Sequence, residues 1–232
     1  MHLHLIDYAI WVGDLLALLA VLVAMHKRRL RGPYPYFFFY ILLQVAFNPL
    51  LLLFSTISYR LYYYAYYAVL IVSVVASVAV FWDILRNALA ASPGLRDLMA
   101  LMFWSSVALV LAAMVLLNVS RSQGTNILAD WTLSAVSATR AAQCALILLL
   151  FCFRKYLGIS LDGMVFGIAL GFGLFAATNM LIAGVAHVAG SSQAILSQVN
   201  SSTYLASSLI WLIYAMRGSA QLQTAGRAEC FA

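Results

Sequence analysis

Seven long apolar runs, separated by short connections that carry nearly all the basic residues, constrain this chain more than any other feature. The runs lie at roughly 7–25, 35–57, 62–82, 97–118, 130–153, 161–187 and 196–216. Each is close to the ~20 residues that cross a ~30 Å hydrocarbon core at 1.5 Å per residue. The connections His26–Tyr34, Ser58–Leu61, Asp83–Arg96, Val119–Ala129, Arg154–Ser160 and Val188–Ile195 leave no room for an extra domain. The expected fold class is therefore all-α: a polytopic membrane protein with one seven-transmembrane-helix bundle over 1–217, followed by a short tail at 218–232.

The charges predict an orientation. Of the 13 Lys and Arg residues, ten fall on one side of the implied membrane: Lys27, Arg28, Arg29, Arg31, Arg86, Arg96, Arg154, Lys155, Arg217 and Arg227. Two, Arg60 and Arg121, fall on the other, and Arg140 lies inside a run. Positive charge stays cytoplasmic, so the N-terminus is expected outside and the C-terminus in the cytoplasm. Met1 to Asp7 holds no Lys or Arg ahead of the first apolar run, which is not the pattern of a cleavable signal peptide. Aromatic residues mark both interfaces: Tyr59, Tyr62, Tyr63, Tyr64, Tyr66 and Tyr67 outside, and Tyr34, Tyr36, Phe37 and Tyr40 inside. Pro33 and Pro35 suit a helix start, whereas Pro49 lies within the second run and should kink it.

Composition excludes several classes. Only 9% of residues are charged and 65% are hydrophobic, with a mean hydropathy of +0.98, against roughly 25% charged in soluble domains. The net charge of +6 does not mark a nucleic-acid binder, because the basic residues sit in short loops where they meet anionic lipid headgroups. Cys144, Cys152 and Cys230 have no metal or redox spacing. His2, His4 and His187 are too scattered to make a convincing metal site, and none is expected. The glycosylation patterns Asn118-Val119-Ser120 and Asn200-Ser201-Ser202 are of the kind chance supplies in a serine-rich chain.

Polar residues within the runs are the candidate site. Arg140 lies about 14 Å below the external end of its run at 1.5 Å per residue. A cation there costs roughly 2.5–3.5 kcal/mol or more to insert, so a partner or a water-filled cavity is expected. Thr132, Ser137, Gln143 and Cys144 fall on the same helical side and predict a polar stripe. Asp14, at similar depth in the first run with Asp7 on the same face, is the expected partner of Arg140. Asn179, Gln44 and Asn48 extend this region, or else bond between helices, as do Ser201, Ser202, Thr203, Ser207 and Ser208. Asp130 is expected to cap the fifth helix and Asp162 to favour the start of the sixth. Gly163, Gly167 and Gly171 form a small-residue strip for close helix packing, within the bundle or, alternatively, in a homodimer.

No enzyme motif is present, and the known seven-helix families fit poorly. Retinal proteins need a lysine in the seventh helix, haem bundles paired intramembrane histidines, and zinc hydrolases His and Asp clusters; all are lacking. The topology is that of G-protein-coupled receptors, but Asp83-Ile84-Leu85-Arg86 is not their Asp-Arg-Tyr and the seventh run has no Asn-Pro. Prolines confined to 33–93 do not suit three-plus-one-plus-three sugar transporters, and Asp14 and Asp83 lie too far apart in depth for an aspartyl protease. The expectation is a non-enzyme without cofactor: a protein sensing a small ligand or lipid, with Arg140, Asp14, Ser137, Gln143 and Asn179 around an outward-facing cavity, signalling through a partner. The alternatives are an accessory subunit of a membrane complex docking through its glycine strip, and a transporter of a small anionic solute. A cell membrane is the expected location, and the compact loops suit a bacterial inner membrane.

Overall fold

A computed structural model describes residues 5–88, 127–157, 163–189 and 193–217, with separate positions between 101 and 116. Six helices are complete: α1 Leu5–Lys27, α2 Pro35–Ile57, α3 Tyr59–Ala88, α4 Ile127–Leu157, α5 Gly163–Ala189 and α6 Gln193–Arg217. The described positions within 101–116 are helical as well. Among the described residues there is no strand. Four stretches are long and apolar enough to cross a membrane: Ala9–Lys27, Pro35–Ile57, Tyr59–Ala88 and Gly163–Ile182. The remaining two helices, α4 and α6, carry Arg140 and a serine-rich segment, which lower their apolarity.

The helices close into a ring in which α1 packs on α2, α2 on α3, α3 on α4, α4 on α5, α5 on α6 and α6 back on α1, with α3 also touching α5. The core is not centred. It takes Leu18, Val21 and Met25 of α1, Phe37, Tyr40 and Ile41 of α2, Val80, Ile84 and Leu85 of α3, Leu146 of α4, Val165, Ile168 and Phe172 of α5, and Trp211 of α6. All of these lie toward the end where α1 finishes and α2 begins, here called the basic end. Toward the opposite, tyrosine end, α2 beyond Ile41, α3 before Ala76 and α6 before Ser207 bury no described side chain. Burial extends further on the other helices, with Asp14 of α1, Thr132 and Ser134 of α4, and Phe175 and Ala176 of α5.

Two devices hold the basic half. Gly167 lies beneath Tyr214 and Gly171 beneath Trp211, so closely that a methyl group at either would overlap the ring. Small residues let helix backbones approach where no water drives them together. Trp211 then packs at a tilt against Phe172 and meets Phe37 edge-on, at centroid distances of 5.0 and 5.5 Å. The second device is Asp83. Its Oδ2 accepts the Tyr36 and Phe37 backbone N–H groups at 2.8 and 2.9 Å, two of the donors that a helix start leaves unpaired. Asn87, one turn on, donates to Pro33 O at 2.9 Å.

Several expectations are corrected. Phe37, Tyr40 and Tyr34 are not interfacial rings: they are buried, because positions 37, 40 and 41 fall on one face of α2 and point into the ring of helices. Of that group Tyr36 alone is exposed. Asp83 to Ala88 is helix, not loop, since the Asp83 and Asn87 bonds tie that turn to the start of α2. Asp130 lies inside α4, which has begun by Ile127, so it is not the residue before the helix. α2 runs through Pro49 as one helix, and Ser58 alone separates it from α3. His2, His4, Pro93-Gly94, Arg96, Asn118, Arg121, Asp162, Arg227 and Cys230 lie outside the described residues. Of Asp7, Arg154, Lys155 and His187 only the backbone is described.

Candidate ligand site

Where the packed half ends, the bundle becomes polar. Asp14 of α1 is buried and its Oδ1 accepts the Ser208 hydroxyl of α6 at 2.7 Å. Ser208 reaches it because Tyr204, Ser208 and Trp211 follow the i, i+4, i+7 spacing that aligns one helix face. Arg140 approaches from α4. Its Nη1 donates to Gln143 Oε1 at 2.8 Å, and its guanidinium carbon lies 4.5 Å from the centre of the Phe175 ring of α5. A cation over an aromatic face is attracted by the ring quadrupole.

The expected Asp14–Arg140 ion pair is not formed: each group takes other partners, and no ion pair joins them among the described residues. Two tyrosines lie near both charges. Tyr40 of α2 and Tyr204 of α6 each interact electrostatically with both Arg140 and Asp14. The two charges thus share one neighbourhood without neutralising each other directly.

Among the described residues Gln143 Nε2, buried beside Arg140, has no hydrogen-bond partner, while the Tyr204 hydroxyl faces that of Tyr40. Burying an unpaired polar group costs about 1–3 kcal/mol. The amide nitrogen is a donor. Arg140 itself has five N–H donors in a planar fork, one of which is used among the described residues. The arrangement presents unspent donors and a positive charge, which is the chemistry that recognises a carboxylate or phosphate.

The polar stripe on α4 is displaced from its expected position. Its buried polar members are Thr132, Ser134, Thr139 and Gln143, whereas Arg140, Ser137 and Cys144 are half-buried at its flanks. Arg140 reaches inward by the length of its side chain. Gln143 and Thr139 also line a narrow apolar crevice with Val78 and Phe81 of α3 and Phe103 and Val107 of the 101–116 segment.

Asn179 donates to Phe175 O of its own helix at 2.8 Å, one turn from the ring beneath Arg140. Neither Asn179 nor Ser137 bonds to Arg140 or Asp14 among the described residues. Gln44 bonds across to Ser73 of α3 at 3.1 Å and so joins two helices. Tyr40, Phe175, Tyr204 and Ser208 complete the site but carry no charge to announce them. The spacing of Tyr204, Ser208 and Trp211 was the one available signal.

The chain matches no protein-family model, and no curated protein or solved structure is detectably similar to it.

Proposed function

We propose that this chain is a seven-span protein of the cell membrane that binds a small anionic ligand, a carboxylate or a phosphate headgroup, at Arg140 and passes the event to a protein partner. The N-terminus is outside and the C-terminus cytoplasmic, and the short loops fit a bacterial inner membrane. The charge count across the two ends supports this orientation. The path of the chain supports seven crossings: α3 finishes at the basic end, whereas α4 reaches the basic core only late in its length, at Leu146.

One observation carries the binding role: among the described residues Arg140 sits at mid-helix with no carboxylate against it, beside the buried Gln143 Nε2, a donor that lacks an acceptor. A charge within a membrane span is expensive and marks function by default. The site lies at the boundary between the packed basic half and the loosely packed tyrosine half, so its access is from the tyrosine side. Gly167 and Gly171 are filled by α6 from within the chain, which leaves those two positions no face for docking an outside helix. That favours the ligand reading over the accessory-subunit one.

Thermal unfolding of the purified protein against a panel of carboxylates and organic phosphates tests the proposal. At least one should raise the midpoint by mass action, and the rise should vanish in Arg140→Ala while Ser137→Ala keeps it. Stabilisation that survives Arg140→Ala would move the site elsewhere. Destabilisation in Arg140→Ala, with no ligand effect in the wild type, would make the arginine a structural element only.

A further inference from the structure

We infer that the turn at 26–34 is a binding site for the acidic headgroup of an anionic phospholipid, with Arg29 as its central cation. α1 ends in a reciprocal pair of bonds, Leu30 N–H to Met25 O at 3.0 Å and Arg29 N–H to His26 O at 3.2 Å. This termination needs a left-handed residue between helix and exit, a place normally given to glycine. Here it is Arg29, at φ 55°. A side chain is disfavoured there by the clash of its Cβ with the backbone. A helix stop alone would be served better by glycine; what arginine adds at this position is a cation.

The rest of the turn fits that purpose. Leu30 is buried against the core with Met25, and Tyr34 is buried and donates its N–H to Leu30 O at 3.1 Å. Asn87 holds Pro33, and Asp83 holds the two residues that follow Pro35. The backbone is therefore fixed, while Lys27, Arg29 and Arg31 remain exposed. Arg86 and Arg217 are exposed at the ends of α3 and α6 on the same side. Among the described residues no exposed carboxylate faces them; Asp83, which interacts electrostatically with Arg86, is buried beneath the turn. Basic groups next to a span attract anionic lipid.

Exposed apolar side chains continue from the turn along both helices, Leu19 and Val23 on α1 and Phe39 on α2. They suit acyl chains, and this favours a lipid over a free phosphate.

The test is thermal unfolding in a zwitterionic detergent, with phosphatidylglycerol or phosphatidylcholine added. The wild type should gain stability from phosphatidylglycerol alone. Arg29→Gly should start higher, by about 2–4 °C as backbone strain is relieved, yet lose at least half of the phosphatidylglycerol gain. Arg60→Gln, at the opposite end, should retain the gain. A lower starting midpoint in Arg29→Gly would assign the arginine to closing the helix and overturn the proposal. So would an undiminished gain in that variant, an equal loss in Arg60→Gln, or the same stabilisation from soluble glycerol phosphate. None of these readings depends on Arg140.

Discussion

Replacing Gly171 with alanine isolates the packing that joins α5 to α6. The added methyl would overlap the Trp211 indole nitrogen and lie 2.8 Å from Cδ1 and Cε2 of the same ring. Carbon atoms pack best at about 3.5–4.0 Å, so the ring must retreat by roughly 1 Å. It has little room, since Trp211 is 1% exposed and abuts Phe37, Tyr40, Phe172 and Tyr204. Overpacking of this kind costs about 1–3 kcal/mol. The 3.4 Å contact from Trp211 Nε1 to Ile168 O would lengthen as well, adding under about 1 kcal/mol because the bond is already long. Removing a helical glycine returns up to about 1 kcal/mol. The balance is a loss of about 1–3 kcal/mol. Trp211→Phe removes the ring edge that collides, so the alanine should cost less in that background by at least about 0.5 kcal/mol. Unfolding in mixed micelles, followed by far-ultraviolet circular dichroism, reads all four corners of the cycle without relying on the altered tryptophan. Wild-type stability in Gly171→Ala, or additivity of the two changes within about 0.5 kcal/mol, would refute this account of the packing.

Further predictions concern the buried polar groups and the topology. Ser208→Ala should cost about 1.5–3 kcal/mol, because it strips a hydrogen bond from the buried Asp14 carboxylate. Ser207→Ala, equally buried but bonded to Thr203 O of its own helix, should be nearly neutral; equal losses in the same unfolding assay would contradict the assignment of Asp14 to Ser208. Asp83→Ala should destabilise by about 0.5–2 kcal/mol, the range for losing a helix cap, with Asp83→Asn milder because its amide oxygen can still accept both N–H groups, as Oδ2 does. If alanine and asparagine cost the same, the Tyr36 and Phe37 bonds contribute little. A cysteine placed at Ser58 in a background without native cysteines should react with an impermeant thiol reagent in intact cells, and one placed at Gly32 should not. The reverse pattern would invert the proposed orientation.

The sequence carried the helices well where punctuation was local. Pro33 and Pro35 marked the start of α2, and Arg217 the end of α6. It misled where side chains act at a distance. Asp83 and Asn87 look like loop residues because they are polar, but their bonds reach 46 and 54 residues back along the chain. Phe37 and Tyr40 look interfacial because aromatic residues at a span end usually are, yet the face they occupy points inward. Matching Asp14 with Arg140 by depth placed both in the correct neighbourhood. Depth does not state rotation about the helix axis, and both charges interact with Tyr40 and Tyr204, neutral residues that no charge argument singles out. Ser137 follows from helical side and Asn179 from depth, and the structure gives neither a bond to the charges among the described residues.

The central claim is that an anion completes the Arg140 site. Native mass spectrometry of the gently extracted protein addresses it directly, with bound species identified by fragmentation. The account predicts a stoichiometric acidic metabolite or lipid on the wild type that is absent from folded Arg140→Ala. A wild-type protein that carries no anionic species but retains a stoichiometric second polypeptide would contradict it, and would make the buried arginine part of the scaffold of a larger complex.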